Sequence, residues 1–421
     1  MSQTADQIVS PSIKGTFIER RCRTACYAIL RQLEKGHLEV WENGHCQHFG
    51  DPLDTSLHAK IEVLDPSAWA DVALRGALGA GEAYMDGTLH VDNLSQMTRI
   101  FVRNVTVLDR LDGGLTHYLR SVMRVAHWLN RNTKSNSRRN IRAHYDLGNE
   151  LFERFLDPTM MYSSGVYPAI DSPLETAATH KLDLICQKLG LKPGMHLVEI
   201  GTGWGGLAIH AAQNYGVRVT TTTISDAQHD LAAERIKAAG LSDQIELLKE
   251  DYRDLRGQYD RLVSVEMIEA VGHQYLDTFF SKCRSLIKPD GLMLIQAITI
   301  VDHRYHRALK GVDFIQKYIF PGGFVPSVSA MMKSVAQATD LRLIHLEDYA
   351  EHYAKTLADW RERFDARIGE ITHLGYDERF QRMWRYYLAY CEGGFAERQL
   401  GLGQLLLAAP ASSAQSPNSA L

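Results

Sequence analysis

Between about Lys192 and Val301, short apolar runs alternate with segments whose apolar positions recur every three or four residues. The runs HLVEI (His196–Ile200), VRVTTTTI (Val217–Ile224), QIELLKE (Gln244–Glu250), RLVSVE (Arg261–Glu266) and GLMLIQAITI (Gly291–Ile300) predict strands. GGLAIHAAQNYG, DAQHDLAAERIKAAG and YLDTFFSKCRSLI, set between them, predict helices. Strands alternating with helices specify an α/β fold with a mostly parallel sheet, and ligands in such sheets bind beyond the carboxyl ends of the strands.

Upstream the pattern differs. HLEVW (His37–Trp41) and AKIEVL (Ala59–Leu64) predict short strands, and SAWADVALRGALGAGEAYMDG predicts a helix followed by a glycine-punctuated turn. Residues 1–130 are therefore expected to form a smaller α+β domain. RNTKSNSRRNIR (Arg131–Arg142) has five basic residues and no apolar cluster before Ile141, which predicts an exposed linker over 131–140. Such a linker either rests on anionic headgroups or is simply solvated. The second domain is expected over 141–409, and the small, polar residues 410–421 as a disordered tail.

Composition narrows the partners. The 46 Lys and Arg against 50 Asp and Glu give a net charge of -4, which argues against a wrapped nucleic acid. The amino-terminal residues lack the charged start and apolar core of a signal peptide, and Gly291–Val301 falls short of the roughly 20 residues of a membrane span. A cytoplasmic location with peripheral contact at the inner membrane surface is expected. The six cysteines show no paired spacing and read as reduced thiols. GHCQH (Gly44–His48), with His37 nearby, lacks the ligand spacing of a closed zinc site, and no metal is expected.

Candidate chemistry sits in the loops after the strands. In Val198–Gly206, VEIGTGWGG, the glycines allow a tight turn and the helix start offers N–H groups, with an acid, Glu199, two residues before Gly201. A dinucleotide turn carries G-x-G-x-x-G; here Gly201, Gly203 and Gly205 alternate, a pattern suited to the amino-acid end of S-adenosylmethionine, whose ammonium Glu199 would attract. Thr223–Gln228 places polar groups where a ribose would lie, and Asp251 and Tyr252 suit adenine. The bland reading of the same residues is helix caps and loop polars.

Ser264–His273, SVEMIEAVGH, sets two carboxylates three residues apart at the end of a strand. Together with RAHYDLGNELFERFLDPTMMYSSGVYP, LKPGMHLVEIGTGWGG, EDYRDL and KYIFPGG, it resembles the cyclopropane fatty acid and mycolic acid cyclopropane synthase family over residues 140–409. GAGEAYMDG is similar to the amino-terminal domain of the longer, phospholipid-acting members.

The resemblance implies a class I methyltransferase, Rossmann-like with a seven-stranded sheet, and a lipid-binding amino-terminal domain. It implies methyl transfer from S-adenosylmethionine to a cis double bond of an acyl chain in membrane phospholipid. The alkene is left with positive charge on the neighbouring carbon, and a base removes a proton so that a cyclopropane closes. In the family that base is commonly bicarbonate. The positions carried over for it are Glu269, Tyr353 and the backbone of Ile298, which agree, and Ser164 and Gln296, which replace a Cys and a His; Ala270 stands where a further His is usual. Glu266 is expected nearer the cofactor, behind Glu269.

Tyr162 and Ser163 match positions that close over the cofactor, and Gly201, Gly203, Thr223, Gln228, Asp251 and Tyr252 match its binding loops. His144 and Tyr145 are left between cofactor contact and helix packing. Tyr318, Phe320 and Phe324 are expected along an acyl channel or in the core. Without the Cys and His, methyl-branched unsaturated chains are the alternative product. A small-molecule methyltransferase and a non-catalytic lipid-binding protein are the other readings, and homodimerisation is left open.

Overall fold

Along β1 (His37–Glu42) every second residue, Leu38, Val40 and Glu42, turns inward, the period of a strand with one face covered. β1 is flanked by β2 (His45–Gly50), antiparallel, and by β3 (His58–Val63), parallel; β4 (Leu89–Val91) completes a four-stranded sheet. The computed structural model describes residues 15–107 and 147–416 and divides into two compact units, one within 1–119 and one within 120–421. The linker Arg131–Arg142, His144 and Tyr145 lie outside the described residues.

Helix α1 (Phe17–Leu30) starts at a capping box, in which Thr16 and Glu19 satisfy each other's backbone N–H groups. The stretch expected to be a helix and then a turn is α2 (Ser67–Met85), which continues to Met85 through a kink at Gly76, where φ is 57°. Inside the unit, Glu42 accepts from Trp69 Nε1 at 3.0 Å and pairs with Arg23 at 2.5 Å.

The second unit is built on a seven-stranded sheet. Its strands are β5 (His196–Ile200), β6 (Arg218–Thr222), β7 (Ile245–Leu248), β8 (Tyr259–Val265), β9 (Ile287–Ile300), β10 (Arg342–Asp348) and β11 (Leu400–Ala408). Their order is β10-β11-β9-β8-β5-β6-β7, and β11 alone runs against the rest. β5 and β8 lie at the centre, so the loops after them meet at the middle of the carboxyl edge.

Helices α3 (Leu174–Lys188) and α4 (Gly206–Tyr215) cover one face through Leu182, Ile185, Leu207 and Ala211, which join Leu197, Val219 and Val263 of the sheet. On the other face α5 (Leu276–Leu286) contributes Phe279, Phe280 and Cys283 to a core with Leu262, Met293 and Ile295. α6 (Ala350–Ala366) and α7 (Glu378–Ala396) were not read from the sequence; they pack together and bury Trp360, Phe364 and Trp384. Burying each such aromatic is worth on the order of 2–3 kcal/mol.

Residues 410–416, the described part of the expected tail, make contacts within the second unit. The Ala411 N–H donates to Pro289 O at 3.0 Å, and Arg342 donates to Ser412 O at 3.1 Å. Apolar Ala409 and Ala414 lie against the core beside these bonds. Small residues fit closely there, which their low hydrophobicity concealed.

Candidate active site

The glycine turn follows β5. Gly201, Gly203 and Gly205 have φ of 100°, 53° and 86°, which L side chains adopt only with strain, and a Cβ at Gly203 would project into open space. The turn is therefore a backbone cradle open on one side. At Gly206 a Cβ would come within 2.7 Å of Thr159 O, so this glycine lets the segment before Tyr162 pass close by. Arg235 holds that segment, donating to Pro158 O, Thr159 O and Trp204 O.

Next to the cradle, Thr223 donates to Gln228 Oε1 at 3.0 Å, and Ser225 caps the following helix by accepting from the Gln228 N–H. Asp251 binds the Arg253 guanidinium through both oxygens, at 2.7 and 2.6 Å. Tyr252 packs edge-on against Phe279. These residues follow β6 and β7, on the same edge of the sheet as the glycine turn.

Glu199 lies near the end of β5. Its carboxylate is buried and accepts from the Thr221 hydroxyl at 2.5 Å, within the sheet; desolvation pushes its pKa up to about 8, against the pull of Lys181. A side chain so engaged does not reach out from the strand end.

The two carboxylates of SVEMIEAVGH are held differently. Glu266, with φ of 50°, follows β8 in a conformation that costs a non-glycine residue about 1–2 kcal/mol. Its Oε1 accepts from Ser164 N at 3.0 Å and Gln296 Nε2 at 2.8 Å, and its Oε2 accepts from the Tyr353 hydroxyl at 2.6 Å. Three positions singled out in the sequence thus converge on Glu266. The Glu269 carboxylate accepts from Ile298 N at 2.6 Å through Oε1, and its buried Oε2 has no hydrogen-bond partner.

Electrostatics separate the pair. Desolvation raises both carboxyls; for Glu266 it is offset by the donors and by Lys181, whereas for Glu269 the adjacent Glu266 adds to it and the pKa reaches about 8.

The replaced positions are fully buried. The Ser164 hydroxyl donates to Gly165 O at 2.8 Å, while the Gln296 amide donates to Glu266 and accepts from Gln404 Nε2 at 2.9 Å. With Tyr353 and Ile298 N also occupied, the set as it stands does not fit a bicarbonate ion.

Sequence reasoning missed Lys181. It lies on the buried face of α3 with Ala177, Ala178 and Ile185, is 0% exposed, and donates to Ser163 Oγ at 2.6 Å. Burial lowers its pKa to about 8, opposed by Glu266, Asp157 and Glu199. The available signal was a charged residue in an apolar helical stripe.

Tyr162 stands within an aromatic enclosure. Its hydroxyl is 2.8 Å from that of Tyr387, and its ring centroid lies 5.1 Å from Phe152, 5.3 Å from Trp360 and 6.4 Å from Phe320. Phe324 is buried and its N–H donates to Glu269 O at 3.0 Å, whereas Tyr318 packs on Phe314. Of the three aromatics proposed from KYIFPGGF, Phe320 is the one that meets Tyr162.

The family model described as mycolic acid cyclopropane synthetase matches residues 132–405. The tuberculostearic acid methyltransferase UfaA1 of Mycobacterium tuberculosis is 39% identical, covering 87% of this chain and 86% of its own. The cyclopropane-fatty-acyl-phospholipid synthase of Escherichia coli K12 is 40% identical, covering 85% and 90%. Among solved structures, the cyclopropane synthase MmaA2 from M. tuberculosis superposes with a TM-score of 0.61 at 30% identity, covering 64% of this chain and 98% of its own. The chain therefore belongs to the mycolic acid cyclopropane synthetase family and is an S-adenosylmethionine-dependent methyltransferase of unsaturated lipid chains.

Proposed function

We propose that this enzyme adds a methylene bridge across a cis double bond of a phospholipid acyl chain, giving a cyclopropane, and that Glu266 receives the proton lost when the ring closes. The single observation that carries this reading is the Glu266 carboxylate, held by Tyr353, Gln296 and Ser164 N beside the aromatic enclosure.

S-adenosylmethionine supplies an electrophilic methyl group. The open cradle at Gly201 and Gly203 fits its amino-acid end, and Thr223, Gln228, Asp251 and Tyr252 would line the rest of its site, with Tyr162 and Ser163 closing over it. Lys181 fixes Ser163 from beneath.

The alkene forms a bond to the transferred carbon and leaves positive charge on its neighbour. Rings such as Tyr162, Phe152 and Trp360 present negative faces to that charge, an attraction of about 0.5–2 kcal/mol per ring. The added methyl then gives a proton to Glu266, and its C–H electron pair closes the third side of the ring. Desolvation raises the Glu266 carboxyl, and three donors and Lys181 work against it by favouring the charged form that accepts a proton. Glu269 is neutral below about pH 8, which keeps a second negative charge away from Glu266.

A second reading, a methyl-branched unsaturated product, is favoured by the buried Ser164 and Gln296, whose side chains are engaged by Gly165, Glu266 and Gln404. Substrate presented in the membrane is supported by exposed Phe17, Ile18, Leu53 and Leu64 in the amino-terminal unit, which suit peripheral contact with a bilayer on its cytoplasmic side. No described helix is long and apolar enough to cross a membrane. The reading needs one copy of the chain, since every catalytic group named lies within 120–421.

The test is incubation of purified protein with S-adenosylmethionine and vesicles of monounsaturated phospholipid, followed by mass spectrometry of the fatty acids. A gain of one methylene in the acyl chain supports the reading. Turnover only on soluble amines or hydroxyl compounds would overturn it.

A further inference from the structure

We propose that the solvent face of the amino-terminal sheet binds a borderline divalent metal ion such as zinc, with His37, Glu39 and His48 as its protein ligands. The site is independent of the methyl-transfer reading, because all three residues lie in the unit within 1–119.

Strand geometry assembles it. His37 and Glu39 are two apart on β1 and share the face opposite Leu38 and Val40. Antiparallel pairing sets Glu39 across from His48, and parallel pairing sets His37 across from His58. His37 Nε2 and His48 Nδ1 are 3.0 Å apart, and one ligand atom from each of His37, Glu39 and His48 lies within 4.8 Å of the others. Two nitrogens about 2.05 Å from a tetrahedral zinc ion are about 3.3 Å apart, so the two imidazoles need a shift of tenths of an ångström, and the Glu39 carboxylate closes on the ion by a side-chain movement of about an ångström.

The donor set also fits. Two imidazoles and a carboxylate, with a fourth position left to solvent, is a zinc arrangement, and imidazole nitrogen favours zinc, copper or nickel over calcium or magnesium. His58 Nε2 lies 3.2 Å from Glu39 Oε1 and orients that carboxylate, as groups behind metal ligands do. Cys46 Sγ lies 3.7 Å from Nε2 of His48, on the ring edge away from His37. His48 is exposed, so an ion has an open approach.

Motif spacing along GHCQH gave no such site because two of the ligands stand on the neighbouring strand. β2 is the edge strand of its sheet, and an ion there would pin it to β1.

The experiment uses the untagged full-length protein, stripped with a chelator and titrated with zinc by calorimetry, then with cobalt(II) by absorption. The expected result is one tight equivalent per chain and a rise in the melting temperature. His48→Gln and Glu39→Gln are each expected to weaken binding at least about tenfold, or about 1.4 kcal/mol. His48 is exposed, so its variant tests binding without threatening the fold; circular dichroism checks this. No uptake by the wild type, or equal uptake by both variants, overturns the proposal. A sulfur-to-cobalt band lost in Cys46→Ser overturns this ligand set.

Discussion

The Tyr353 hydroxyl donates to Glu266 Oε2 at 2.6 Å, joining a helix of the carboxyl-terminal half to the residue that follows the central strand β8. Tyr353 is itself buried and stacked on Phe395 at 4.4 Å, so the bond is held from both sides. Hydrogen bonds to charged groups contribute about 1.5–3 kcal/mol. Tyr353→Phe is expected to lower turnover about tenfold to a hundredfold while S-adenosylhomocysteine binding is kept, as read by initial rates and calorimetry.

Glu266→Gln removes the proposed proton acceptor but keeps the side chain's size and one carbonyl oxygen. Turnover is expected to fall to background with cofactor binding intact. Normal turnover in this variant would assign the proton to another group.

The pH profile distinguishes the two carboxylates by direction. Glu269 has its pKa raised to about 8, so it is neutral below that value and ionises as pH rises through it. If Glu266 is the base and Glu269 must stay neutral, single-turnover rates fall above about pH 8. If Glu269 were the base, the same limb would rise. Glu269→Gln, which mimics the neutral acid and keeps an acceptor for the Ile298 N–H, is expected to abolish that limb and retain measurable activity.

Lys181→Met keeps the length of a buried side chain while removing its charge. Ser163 loses its 2.6 Å donor, and Glu266 and Glu199 lose a cation that favours their ionised forms. S-adenosylhomocysteine affinity is expected to weaken about tenfold, about 1.4 kcal/mol, and a melting curve separates this from unfolding.

The sequence was legible where local pattern and tertiary structure agree. β5 to β9 and the helices between them follow from period and glycine punctuation, since each is a buried strand or a one-faced helix. β10 and β11 were not read; the continuous apolar run of β11 lies after two unread helices and enters the sheet antiparallel. β2 escaped because Phe49 is its one buried residue.

Within the site, the glycine turn and the loops after β6 and β7 were visible as motifs. The convergence of donors on Glu266 was not, because it depends on a positive φ at Glu266 and on donors more than eighty residues away in sequence, such as Tyr353. His37, Glu39 and His48 show the same thing: strand register, not spacing, brings them together.

The most direct test of the central claim uses S-adenosylmethionine carrying a trideuterated methyl group, with monounsaturated phospholipid vesicles and mass spectrometry of the product. Loss of one label to Glu266 during ring closure predicts a fatty acid that keeps two deuterium atoms and adds no hydrogen on mild catalytic reduction. A product that keeps all three, and takes up hydrogen, would contradict ring closure and assign the enzyme to methyl branching.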